Sequence, residues 1–196
     1  MSLKMLGRIT ALSLLGGALA CADGAGVTGP SGGLQPPPPQ LEILDPPEWA
    51  SGLERVTPLA QPITVSQQIG IRGGIISIPE AGLRVVVPPL AVRQPLTITA
   101  TAVAGRLVAY EFQPHGTVFL LPLQVTQDLK GTTWRSDAGL PLMEVGYFAD
   151  ALQLDPLKGG ALIDEFLPAV TDPVNGKLRF QIFHFSGYMV SSGRSR

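Results

Sequence analysis

Few residues in this chain of 196 could do chemistry, and their spacing limits what that chemistry could be. There are two histidines, His115 and His184, and one cysteine, Cys21. A zinc site would need both histidines plus carboxylates, and neither His-x-His nor paired-cysteine spacing is present, so no metal or other cofactor is expected. The chain carries no G-x-S-x-G elbow, P-loop or G-x-G-x-x-G phosphate cradle. His115 lies in Pro114-His115-Gly116, a turn sequence, where it either bonds neighbouring backbone or contacts a ligand. His184 continues the alternation of Leu178, Phe180 and Ile182 and so is in phase with a core face. A buried imidazole must find partners for its ring nitrogens, which makes a structural role the simplest reading. Trp134-Arg135, in the polar loop Gly131 to Gly139, suits a contact surface, or else the indole folds back onto the rim of the domain.

The elements that would position these residues divide the chain. Lys4 and Arg8 flank a short basic start, Ile9 to Leu15 is apolar, and Ala18-Leu19-Ala20-Cys21 follows. Residues 1–20 therefore read as a secretory signal peptide, too short for a transmembrane helix. The small residue before Cys21 resembles a bacterial lipobox, and that resemblance implies a diacylglycerol thioether on Cys21. Ala18-Leu19-Ala20 also satisfies the A-x-A rule for ordinary secretion, and an uncleaved anchor is a third reading. A lone cysteine cannot form an intrachain disulfide, whereas two or more acyl chains suffice for stable membrane anchoring.

Residues 21–60 read as a disordered, Gly/Pro-rich tether that includes Pro36-Pro37-Pro38-Pro39 and Pro46-Pro47. Its sparse apolar content cannot offset the entropy of ordering. The segment carries five acids and one base, while residues 61–196 carry ten acids and eleven bases. That near-neutral domain lacks the basic footprint of a nucleic-acid binder, so no nucleic acid is expected as a partner.

Residues 61–192 read as an all-β domain, an antiparallel β-sandwich, with 193–196 a disordered tail. Leu96, Ile98 and Ala100 alternate with Thr97, Thr99 and Thr101, the signature of a half-buried strand. Leu83, Val85 and Val87 form another, ended by Pro88-Pro89. Leu107 to Phe112, Val118 to Thr126, Leu142 to Phe148 and Leu178 to Phe185 are further strands, and Asn175-Gly176 marks a hairpin. Ala161 to Val170 is the one weakly helical stretch. With 23 glycines and 19 prolines, a helical bundle is excluded.

The run from Gly73-Gly74 through Gly82-Leu83, the valine strand and Pro88-Pro89 to Val92 resembles the opening of a ZU-five domain, with Leu90 where that family usually has glycine. Phe112 to Phe119, then Leu121-Pro122-Leu123, and His184-Phe185-Ser186-Gly187-Tyr188 are similar to its later elements, in the same order. ZU-five domains are β-sandwich modules of ankyrins, netrin receptors and tight-junction scaffolds. The resemblance implies a non-catalytic module that binds a protein or serves structurally. Taken with the lipobox-like Cys21, it leads to the expectation of a monomer held to the membrane by its N-terminal lipid, with an envelope protein as partner. It also implies an alternative, because some relatives cut themselves within the His-Phe-Ser tripeptide. Ser186 would then attack the carbonyl of Phe185 with His184 as base.

Overall fold

The computed structural model describes residues 46–135 and 143–194. Cys21, residues 1–20 read above as a signal peptide, and the part of the Gly131 to Gly139 loop after Arg135 lie outside the described residues. In chain order the strands are β1 (Glu48–Gly52), β2 (Glu54–Leu59), β3 (Ile63–Ile69), β4 (Gly74–Ile78), β5 (Leu83–Val87), β6 (Leu96–Ala102), β7 (Gly105–Leu107) and β8 (Ala109–Gln113). They continue with β9 (Val118–Asp128), β10 (Glu144–Phe148), β11 (Leu154–Asp155), β12 (Gly160–Ile163), β13 (Glu165–Leu167), β14 (Ala169–Asp172), β15 (Lys177–His184) and β16 (Gly187–Arg194). Two short 3-10 turns, Pro79–Ala81 and Ala151–Gln153, complete the elements, with no α-helix among the described residues. The protein is all-β, and its paired strands are antiparallel.

Alternation builds the strands. In β6, Ile98, Ala100 and Ala102 are buried, while Thr97, Thr99 and Thr101 face outward. Thr99 and Thr101 meet Ser66 and Thr64 of β3 in hydroxyl pairs at 2.7 and 2.9 Å. Such cross-strand pairs fix register, because a one-residue slip would turn the apolar set to solvent. One sheet has five strands in the order β14-β15-β9-β5-β4, and a second has nine. The main core takes residues from both, including Ile76, Val85, Val125 and Ile182 from the first and Ile98, Phe112, Val145 and Tyr188 from the second.

Part of the nine-stranded sheet closes on itself. β12 pairs with β1, β1 with β16, β16 with β10, and β10 with β13. Only Asp164 separates β12 from β13, so the pairings form a ring around a second, smaller core of Ala50, Leu107, Ala109, Phe148, Ala161, Ile163 and Met189. Asp164 makes the corner: its backbone N–H donates to Tyr147 O at 2.9 Å, and its carboxylate accepts from Ala149 N at 2.8 Å and from Gln153 Nε2. Where β1, β8 and β16 diverge, Val108 N donates to Leu53 O, Leu53 N to Val190 O, and Val190 N to Val108 O, at 2.7 to 2.9 Å. This closed triangle leaves none of those buried backbone groups unpaired.

Three expectations need correction. Residues 48–59 are strands, so the folded unit begins inside the span read as tether. Trp49 and Leu53 explain it: Leu53 is buried in the main core, and β1 supplies Ala50 to the second. Ala161 to Val170 is not helical, because β12, β13 and β14 each find a partner strand there. β16 runs through Arg194, so Gly193 and Arg194 belong to a strand that β1 pairs, rather than to a tail.

Candidate functional site

The His184-Phe185-Ser186 tripeptide joins β15 to β16. Leu178, Phe180 and Ile182 of β15 point into the core, as their alternation requires. The pairing with β9 then slips: Ile182 stands opposite Leu123, but His184 stands opposite Val118. That irregularity leaves His184 half-buried at the sheet margin. Its ring lies edge-on to Tyr147 with centroids 4.7 Å apart, and its Nδ1 is 3.3 Å from the Tyr188 hydroxyl. That hydroxyl donates to the His184 carbonyl at 2.6 Å. Burial pushes the Tyr188 phenol far above its usual range, and the charges of Tyr147 and Glu165 push the same way. Tyr188 therefore stays a neutral donor.

Phe185 and Ser186 are buried, and their polar groups are tied into the fold. The Phe185 ring stacks on Phe112 at 5.3 Å and meets Phe119 edge-on at 4.6 Å. Phe185 N donates to Thr117 O at 2.9 Å, and the Phe185 carbonyl accepts from Gly116 N at 3.0 Å. The Ser186 hydroxyl lies 3.0 Å from Phe148 O and 2.9 Å from Ala149 O, and donates to that pair. It makes no hydrogen bond to His184. The serine thus pins the end of β10 to the start of β16.

His115, distant in sequence, comes to the same place. His115, Tyr147, His184 and Ser186 line one shallow cleft of about 370 Å³. His115 stands exposed in the turn closed by Thr117, whose hydroxyl donates to Pro114 O at 2.8 Å. The His115 imidazole makes no hydrogen bond among the described residues. Among those residues no group of three His, Cys, Asp or Glu side chains is placed to hold a metal ion.

Trp134 and Arg135 lie at the other end of the five-stranded sheet, and differ in exposure. Trp134 is half-buried against the main core, and its Nε1 is buried without a partner among the described residues. Arg135 is exposed and turns back on the chain, donating to Trp134 O at 3.2 Å. Sequence reasoning missed Arg55, which it assigned to the tether. Arg55 is buried, its guanidinium donates to Leu107 O and to Val103 O at 3.4 Å, and it lies 5.9 Å from the centre of the Tyr110 ring. No pattern announced it, because an arginine amid Glu54, Thr57 and Pro58 reads as solvated chain. No protein-family model matches this chain, and no curated protein matches it.

Proposed function

We propose that this protein is a non-catalytic interaction or structural module of the cell envelope, a ZU-five-like β-sandwich displayed from a membrane on a Gly/Pro-rich tether. The observation that carries this reading is Ser186. Its hydroxyl is bonded to the carbonyls of Phe148 and Ala149, so the most reactive-looking tripeptide in the chain serves as a joint between strands. The family resemblance draws support from where its motifs fall. Gly73, with φ 71°, immediately precedes β4, the Gly82 turn joins β4 to β5, and His184 to Tyr188 spans the β15–β16 connection. The shared core between the two larger sheets favours the sandwich architecture. Anchoring rests on Cys21 and the signal sequence before it. Metabolic labelling with a lipid precursor tests that part: the wild-type chain takes up label and Cys21→Ser does not. Retention of label by Cys21→Ser overturns it. Crosslinking of the tagged chain in intact envelopes tests the other part, with a protein adduct expected.

A second reading is favoured by one contact. Gly116 N already donates to the Phe185 carbonyl, the bond that self-cleavage would attack. In that reaction the Ser186 oxygen bonds to the Phe185 carbonyl carbon and the peptide C–N bond breaks. The Ser186 nitrogen takes the proton to become an amine. Water then hydrolyses the ester, leaving a carboxylate on Phe185 and a free hydroxyl on Ser186. The reaction needs His184 to reach Oγ, and the present bonding holds both side chains elsewhere. Two fragments that become one with Ser186→Ala would establish it.

A further inference from the structure

A patch that borders the His-Phe-Ser joint, sharing Val118 with its cleft, lies at one end of the two larger sheets. Three segments meet there: the turn Gly70–Gly73 between β3 and β4, residues 88–95 between β5 and β6, and residues 114–121 leading into β9. Backbone bonds tie them together. Gly73 N donates to Gly70 O at 2.9 Å, Leu90 N to Ile71 O at 2.8 Å, and Leu120 N to Ala91 O at 3.0 Å. Ile71, Leu90, Val118 and Leu120 all stand more than half exposed there, Val118 at 77%. Leu90 is the only non-glycine with positive φ, 68°, among the described residues. A leucine in the left-handed region is strained, and such strain persists only where the surrounding structure holds it, as the Leu90 N to Ile71 O bond does here. Here it holds an aliphatic side chain in solvent.

The three segments carry formal charge of one sign, from their arginines. Residues 69–74, 88–96 and 114–122 contain Arg72, Arg93 and His115 and no aspartate or glutamate. Arg72 and Arg93 are exposed, and neither has an ion-pair partner among the described residues. The opposite end mixes signs, with Lys177 bonded to Asp128 at 2.6 Å and Arg179 paired with Asp172. The exposed tips are all aliphatic, because Phe119, the one aromatic in the three segments, is buried. Protein hot spots favour Trp, Tyr and Arg and under-use Leu and Val, the types that make up most of these tips. Aliphatic tips flanked by unpaired guanidinium groups suit a lipid surface, where the tips enter the headgroup boundary and the arginines meet phosphates.

We infer that this end of the fold docks on an anionic phospholipid surface, through Ile71, Leu90, Val118 and Leu120 with Arg72 and Arg93. The contact is separate from Cys21 and does not depend on its lipidation. The lone cysteine makes a position-specific test simple. In full-length Cys21→Ser protein, Val118→Cys carries an environment-sensitive dye, and Val174→Cys, in the β14–β15 hairpin at the opposite end, carries it in a control. Both chains share the same N-terminal segment, so its own insertion moves neither result. The dye at position 118 should shift to the blue with phosphatidylglycerol–phosphatidylcholine vesicles and not with phosphatidylcholine alone, while the dye at 174 stays unshifted. Removing Arg72 and Arg93 as glutamines should weaken the partition by about fivefold each. No shift at 118 with the anionic vesicles, or equal shifts at both positions, overturns the proposal. So does photocrosslinking from position 118 to an envelope protein in place of a vesicle-dependent shift.

Discussion

Ser186 is the residue on which the functional reading turns. Its hydroxyl is the donor to Phe148 O and Ala149 O, two carbonyls at the end of β10. Ser186→Ala removes that donor inside the fold, so it should cost about 1–3 kcal/mol in urea unfolding. If the hydroxyl were only a nucleophile in waiting, stability would be unchanged. The tripeptide itself was legible in the sequence, but its role was not, because Phe148 and Ala149 lie 38 and 37 residues away. Tyr110 offers a second test. Burial raises its phenol to about 12, against the pull of Arg55. The neutral form is favoured in the folded state, so its contribution is complete below about pH 10 and is lost as pH rises through about 12. Thermal melts across that window should fall steadily, and Tyr110→Phe should flatten the fall. Leu90→Gly should raise stability by up to about 1 kcal/mol, since relief of the left-handed strain outweighs the entropy that glycine loses on folding. A lower melting temperature for that variant would show that the leucine packs where the structure leaves it exposed.

At the scale of elements, legibility followed period-two patterning. β5, β6 and β15 alternate cleanly and were read from sequence with small boundary errors. β12 and β13 were not, because Gly160 to Leu167 bends at Asp164 and sends its two halves to different neighbours. A strand that changes partner midway has no single periodicity to display. β1 and β2 were hidden by composition: Pro46-Pro47 and the acids around them outweighed Trp49 and Leu53. The small ring also depends on Gly187, which the sequence showed only as part of the His184 to Tyr188 motif. A Cβ on Gly187 would lie 1.9 Å from the Phe148 ring, so β16 can cross β10 closely only with glycine there. Gly187→Ala forces that ring to move within a packed core and should destabilise by about 1–3 kcal/mol or more. Gly193→Ala, at a site with nothing within 4 Å, is the matched control and should stay within about 0.5 kcal/mol of wild type.

At the scale of the whole molecule, the described β domain is polarised. One end carries aliphatic tips and arginines, and the other carries paired charges of both signs. The chain enters through β1, which pairs with the Arg194 end of β16, away from the Gly187 end that the His-Phe-Ser joint occupies. Sequence composition gave two parts with different jobs, a tether and a β domain, and the structure moved their boundary towards the N-terminus. The polarity was not legible, because its residues are scattered over three connections that only the fold brings together. The central claim is that the chain is anchored at Cys21 and remains uncut at the joint. Intact-mass measurement of the protein extracted from membranes tests both at once. The account predicts one species that begins at Cys21, carries lipid and continues unbroken past Ser186. An unlipidated chain, or a pair of fragments divided between Phe185 and Ser186, would contradict it.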